Sequence, residues 1–334
     1  MKKIITAVLL LAIISMSRII PRADVNCVPT FGRAKERESI TYLLCGYDDA
    51  AGNTDSIVLA SYRYSSNTMT FLQIPRDTYY ASAAYSKINS VYPTVRASGK
   101  SEIDALRELQ DVISAALGIQ IDSSIGYTMD TFVGFIDAIG GVEITLPKSF
   151  AVKSDSGEVL LSLEAGKSLL SGKEALTFVR ARNGYTTGDL GRIDAQKIFL
   201  SAFMSKLKND VGFTKIVKAC ISTAKGWTVD AKIGDLFKII SKNKGRISSI
   251  VTQYVNIPGS AVCDERGLWY YSVTAHSTDE LLSSVGFTRC GAFDPDEKLL
   301  NEADAGFANI YNSTDIRARI YDDAGLKDLD IGMR

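Results

Sequence analysis

The stretch Thr54 to Asp77, TDSIVLASYRYSSNTMTFLQIPRD, restricts the fold more than any other part of the chain. Ile57, Leu59 and Ser61 alternate with Val58, Ala60 and Tyr62, a polar run from Ser65 to Thr68 interrupts, and Met69 to Ile74 resumes an apolar pattern. Alternation broken by a short polar turn predicts a buried β-hairpin. Pro75 lacks a backbone donor and ends the second strand. Asp55, before the first strand, and Arg76-Asp77, after the second, therefore emerge at the same end of the hairpin. Two carboxylates beside a guanidinium suit a divalent cation, Mg²⁺, held by Asp55 and Asp77, with Arg76 facing a phosphate.

The flanking segments predict an α/β layered fold, a three-layer α-β-α arrangement with a central mixed sheet. ITYLLCGYD, Ile40 to Asp48, reads as the first buried strand. Asp48 is a further strand-end carboxylate, which a polar loop explains without function. Ser101 to Leu117 places Ile103, Leu106, Leu109, Ile113 and Leu117 at helical spacing. Ser101 and Asp104 form a capping box, and Gly118 stops the helix. Ile119–Thr128 reads as a strand, Thr131–Ile139 as a helix, and Val142–Leu146 as a strand, followed by a hairpin from Ala151 to Leu163 turning at Asp155 to Gly157.

A second charged group follows Ser171, itself a helix cap. In LTFVRARNGYTTGDLGRIDAQKIFL, Arg180 and Arg182 share a side if the chain is extended, and two guanidinium forks grip phosphate oxygens. A helix beginning near Asp189 puts Asp189, Arg192 and Gln196 on one face. A plain Asp189–Arg192 ion pair on a surface helix accounts for the spacing equally well. Beyond Leu207, WTVDAKIGDLFKIISK predicts a helix, IVTQYVNIPGS a strand, GLWYYSV an edge strand, and FANIYNSTDIRARIYD a strand pair in the tail.

Acidic and basic residues number 38 each, so no cationic field argues for nucleic acid. The single histidine, His276, sits in VTAHSTDELL as a helix-start or surface residue, which disfavours imidazole-based triads. Five cysteines at no metal-like spacing leave at least one free thiol; Cys263 and Cys290 are one possible pair, and Cys27 has no assigned role. Residues 1–20 join Lys2 and Lys3 to an apolar run and read as a membrane segment, cleaved or retained, with the body outside the cytoplasmic membrane. Residues 21–38 read as a linker, 39–285 as the catalytic domain and 286–334 as a C-terminal extension without assigned role.

The motifs DSIVLASY with IPRDTYY, YSKINSVYP, GFIDAIGGVEITLP and VRARNGYTTGDLGRIDAQ occur in that order and resemble the LytR-CpsA-Psr family of cell-envelope proteins. The resemblance spans about Ile40 to Leu282, and Ala195 departs from it where many members carry another arginine. It implies transfer of a glycopolymer, such as teichoic acid or capsule, from a polyprenyl pyrophosphate carrier onto peptidoglycan through a phosphodiester. It also favours a retained N-terminal anchor. Under it Arg76, Arg180, Arg182 and Arg192 are catalytic through charge neutralisation, and Asp189 is a base or an arginine-orienting group. Lys87, Asn89 and Gln196 bind substrate. The alternatives are a membrane-bound polyprenyl pyrophosphatase and a non-catalytic envelope-sensing or transcription-attenuating protein.

Overall fold

The computed structural model describes residues 39–48, 52–80, 84–182, 185, 189–230, 249–264, 266–290, 320–323 and 326. The expected membrane segment, the linker, Cys27 and residues 231–242 of the helix expected over WTVDAKIGDLFKIISK lie outside the described residues, as does most of the tail; the start of that stretch, Trp227–Val229, is a strand instead, because it pairs with the sheet edge. Among the described residues no helix is long and apolar enough to cross a membrane.

The hairpin forms at the center of the sheet. Strands β1 (Ser39–Tyr47), β2 (Thr54–Arg63) and β3 (Thr68–Gln73) run antiparallel in sequence order, and Asn67 takes the left-handed φ of 52° that closes the β2–β3 turn. An asparagine tolerates that conformation better than most side chains. On one side β4 (Ser123–Thr128) lies parallel to β1 and β9 (Trp227–Val229) antiparallel to β4. On the other, β10 (Val251–Asn256) lies parallel to β3, and β13 (Ile320–Tyr321) closes that edge antiparallel to β10. The seven strands follow the order β13-β10-β3-β2-β1-β4-β9, a mixed sheet. The expected strand at Ile119–Thr128 starts only at Ser123, because Gln120 and Asp122 make loop hydrogen bonds to Thr288 and Thr41 instead.

Each face of the sheet carries its own apolar cluster, so helices cover both sides. One layer holds α1 (Val91–Ala97), α2 (Glu102–Leu117) and α7 (Ala275–Val285), with Leu106, Leu109 and Ile113 packed on Leu43, Leu59 and Leu72. The opposite layer holds α3 (Met129–Ala138), α4 (Gly172–Arg180), α5 (Asp189–Asn209) and α6 (Phe213–Ser222). Two small antiparallel ribbons, β5 (Val142–Leu146) with β8 (Gly166–Leu170) and β6 (Phe150–Lys153) with β7 (Val159–Leu163), complete that layer. A third ribbon, β11 (Gly259–Cys263) with β12 (Trp269–Val273), stands beside the chain that follows β3.

The expected capping box of Ser101 with Asp104 forms on α2, and Ser171, expected as a cap, forms one with Glu174 on α4. Three expectations change. The Cys263 thiol is free and buried, while Cys290 is disulfide-bonded, so these two do not pair. Arg180 is helical, the last residue of α4, and the chain becomes extended only at Ala181. Helix α5 is no surface helix: Ile193 and Lys197 are both buried, and Lys197 is covered by Tyr321 of β13 on the side opposite the cavity described below.

Candidate active site

Strands β1, β3, β4 and β10 all run the same way, and ligand sites in such sheets lie beyond the carboxyl ends of the parallel strands. The hairpin register supplies the first contact there. Val58 pairs with Gln73, and Ile74 donates its backbone N–H to Ile57 at 2.9 Å. Continuing that register sets Arg76 opposite Asp55, and Arg76 Nη1 lies 2.5 Å from Asp55 Oδ1. Arg76 Nε lies 3.5 Å from Asp77 Oδ2, and Lys87 Nζ donates to Asp77 Oδ1 at 2.9 Å, with Asn89 Nδ2 at 3.5 Å from the same oxygen. Lys87 and Asn89 reach Asp77 because Ile88–Ser90 forms a single 3₁₀ turn whose start folds back on Thr78.

The second charged segment arrives from the helical layer. Arg180 Nη2 meets Asp55 Oδ2 at 3.0 Å and Asp48 Oδ2 at 3.3 Å. Arg182 and Arg192 line the same cleft with Asp48, Asn53, Asp55, Arg76 and Arg180, around an empty volume of about 620 Å³. Arg192 is only 3 % exposed. Gln196, one turn further along α5, accepts from Gln73 Nε2 on β3 and donates to the Val179 carbonyl at 2.9 Å. Asp189 opens α5 beside them, though its side chain lies outside the described residues. Three carboxylates thus stand among five cations, and the Arg76 Nε is buried without a hydrogen bond. A surplus of partly desolvated guanidinium is complementary to a polyanion.

Asp55 and Arg180 also form the rim of a second space, an empty volume of about 1250 Å³ between the sheet and α3, α4 and α5. Its walls are apolar: Val58 and Phe71 from the sheet, Phe132 and Phe135 from α3, Phe199 and Phe203 from α5, with Trp227 beyond. The rings brace one another. Phe132 stands 5.5 Å from Phe199, Phe135 6.1 Å from Phe203, and Tyr127 5.8 Å from Trp227. Tyr127 and Ser56 share a hydrogen bond at the neck, and burial pushes the Tyr127 phenol up to about 12 despite that bond. Gly46 makes this possible, since a Cβ there would lie 2.9 Å from the Tyr127 ring.

Whether these carboxylates suit a magnesium ion depends on their donor set. Asp55 and Asp77 converge on one guanidinium, and no cluster of three or more metal-ligating side chains occurs among the described residues. Mg²⁺ needs only one or two carboxylates when substrate phosphates and waters complete its shell. Asp55 and Asp77 supply a donor set of that size.

Sequence reasoning underweighted Asp48 and missed Gln73, Asn53, Ser56 and Tyr127. Gln73 carried a signal, a polar residue inside the apolar run MTFLQI; the others are ordinary loop or strand residues until the fold brings them together.

A parallel-sheet ligand site joined to an apolar chamber defines an α/β protein for an amphipathic, anionic ligand. The family profile described as LytR_cpsA_psr matches residues 16–285, and the chain belongs to that family. It is 27% identical over 256 residues to the polyisoprenyl-teichoic acid–peptidoglycan teichoic acid transferase TagU of Oceanobacillus iheyensis, covering 75% of this chain and 76% of that protein. It is 30% identical over 194 residues to the Bacillus subtilis transferase TagV, covering 55% of this chain and 47% of TagV. The crystal structure of B. subtilis TagV superposes with a TM-score of 0.58 at 25% identity, over 75% of this chain and 97% of that one.

Proposed function

We propose that the protein is a phosphotransferase that moves a glycopolymer from a polyprenyl pyrophosphate carrier onto peptidoglycan through a phosphodiester. The observation that carries this reading is the junction itself. An apolar chamber between the sheet and α3, α4 and α5 shares Asp55 and Arg180 with a cleft lined by Arg76, Arg182 and Arg192. A prenyl chain with a diphosphate head has that same division of apolar and anionic surface. Burial of the tail and pairing of the head act together, since neither half alone needs both compartments.

In the reaction a glycan hydroxyl of the acceptor attacks the phosphorus that bears the polymer. A new O–P bond forms, the bridging P–O bond of the diphosphate breaks, and prenyl phosphate leaves with the electron pair. Asp189 is the candidate to receive the hydroxyl proton. Arg76, Arg180, Arg182 and Arg192 neutralise the charge that spreads over the non-bridging oxygens, and Gln196, fixed by Gln73, orients one of them. Lys87 and Asn89 hold Asp77, which in turn meets Arg76 of the head-group cleft. Asp55 and Asp77 are the residues that would hold Mg²⁺, which supplies charge neutralisation at the diphosphate when bound.

The apolar run in residues 1–20, read as a membrane segment, supports a position of the cleft on the outer side of the cytoplasmic membrane, where a polyprenyl carrier presents its head group. The relatives named above are transferases of polyisoprenyl-linked teichoic acid, which supports the same substrate class. The test is to incubate the protein with a polyprenyl diphosphate-linked glycan, Mg²⁺ and peptidoglycan fragments. Covalent glycan on the acceptor together with prenyl monophosphate is the expected result. Monophosphate without glycan transfer, at any acceptor concentration, means a hydrolase instead.

A further inference from the structure

The C-terminal extension, beyond the 16–285 family match, has described residues at 320–323 and 326, and Ile320, Tyr321 and Asp323 among them meet α5 or β10. Strand β13 pairs Tyr321 with Tyr254 and Ile320 with Val255 of β10. The Tyr321 ring lies 4.4 Å from Lys197 Nζ, and that lysine is 2 % exposed and paired with Asp194 Oδ1 at 2.6 Å. Two residues on, Asp323 accepts from Ser201 Oγ of α5 at 2.7 Å and from Thr252 Oγ1 of β10 at 2.7 Å, with Lys208 Nζ at 3.5 Å. Leu326 then buries itself in the core cluster of the cavity layer.

Lys197, Ser201 and Lys208 are spaced by four and seven residues, so they form one stripe along α5. A neighbouring stripe of the same helix carries Arg192, Gln196, Phe199 and Phe203, which face the cleft and the chamber. One helix is thus clamped from behind by the tail while its other side forms the site. A cation held under a ring and a carboxylate bridging a helix to a strand both fix rotation and height of α5.

We infer that the segment Ile320–Asp323 is a strap that positions α5, and that Tyr321 and Asp323 are positioning residues for Arg192 and Gln196. The inference deepens the proposed function and rests on it only for its catalytic consequence. Its structural half stands separately: without the strap, α5 loosens while the opposite layer does not.

The full-length protein is compared with Tyr321→Ala, Tyr321→Phe, Asp323→Asn and a chain ended after residue 319. Amide hydrogen exchange is read in α5 and, as an internal control, in α2. Exchange in 192–204 is expected to rise roughly tenfold in Tyr321→Ala and the shortened chain, with α2 unchanged and Tyr321→Phe close to wild type. Transferase kinetics on the same proteins, at a temperature where all are folded, are expected to show kcat lowered about tenfold with KM within about twofold, again restored by phenylalanine. Equal exchange in α5, or a rise shared by α2, overturns the strap. A rise confined to α5 with unchanged kcat overturns its link to Arg192 and Gln196. An inactive wild-type protein with the exchange pattern intact sinks the proposed reaction and leaves the strap standing.

Discussion

The two faces of the central sheet are built from similar apolar strands, yet one is filled and the other is hollow. Against the first, α2 sets Leu106, Leu109 and Ile113 into a dense aliphatic core with Leu43, Leu59 and Leu72. Against the second, α3 and α5 present Phe132, Phe135, Phe199 and Phe203, whose rings prop on one another around an open chamber. Branched aliphatic side chains interdigitate until no space is left. Rigid rings in edge and stacked contact hold a wall apart instead. The filled core holds rings too, Tyr47 stacked on Tyr92 at 4.8 Å, so the difference teaches that where the rings prop, and not their presence or a change in periodicity, leaves the space open.

The charged rim where the hollow face opens is the first place to break this contrast. Arg76→Ala removes one partner of each of Asp55 and Asp77, and kcat is expected to fall about 10²–10³-fold in the glycan transfer assay. A fall of less than about tenfold would remove Arg76 from the charge-neutralising set.

Stability sharpens the contrast next. Leu109→Ala on the filled face is expected to cost about 2–5 kcal/mol in urea unfolding, since it leaves a cavity inside close packing. Phe132→Ala, which already borders empty space, is expected to cost about half that or less. Equal costs would mean that the chamber is filled in solution.

A smaller effect tests the neck. Gly46→Ala forces the Tyr127 ring off its seat, at a stability cost of about 1–3 kcal/mol. The displaced ring narrows the chamber, so KM for a long prenyl diphosphate is expected to rise more than for a short one. An equal change for both lengths would put Tyr127 outside the tail path.

The smallest effect is on pH, at the back of α5. Burial alone would raise the Asp323 carboxyl, but hydrogen bonds from Ser201 and Thr252 and the Lys208 ammonium outweigh it and hold it below the usual carboxylate range. A carboxylate depressed in the folded state stabilises above its unfolded pKa, near ~3.9, and loses that contribution as pH falls through the folded value. Wild type should therefore lose more stability than Asp323→Asn on acidification below about pH 4, measured by thermal unfolding across pH. Parallel curves would show that Asp323 is not held in this way.

Much of the fold follows from local pattern. Alternation in Thr54–Gln73 specifies the hairpin, Ser101 and Ser171 specify two helix starts through their capping boxes, and Gly118 specifies a helix end. The hairpin register even specifies that Asp55 meets Arg76, because antiparallel pairing leaves no other residue opposite. Spacing likewise puts Arg192 and Gln196 on one face of α5. These features depend on neighbours within a few residues or across one turn.

What the chain could not disclose depends on distant neighbours. Arg180 meets Asp48 and Asp55 only because α4 docks across the sheet, and Gln73 meets Gln196 only because α5 lies over β3. Lys197 has the pattern of a surface residue and becomes buried because a strand from the far end of the chain covers it. The filled and the hollow layers share the same helical period. Periodicity records which side of a helix avoids water, whereas the shape of the opposing surface decides whether the space between is occupied.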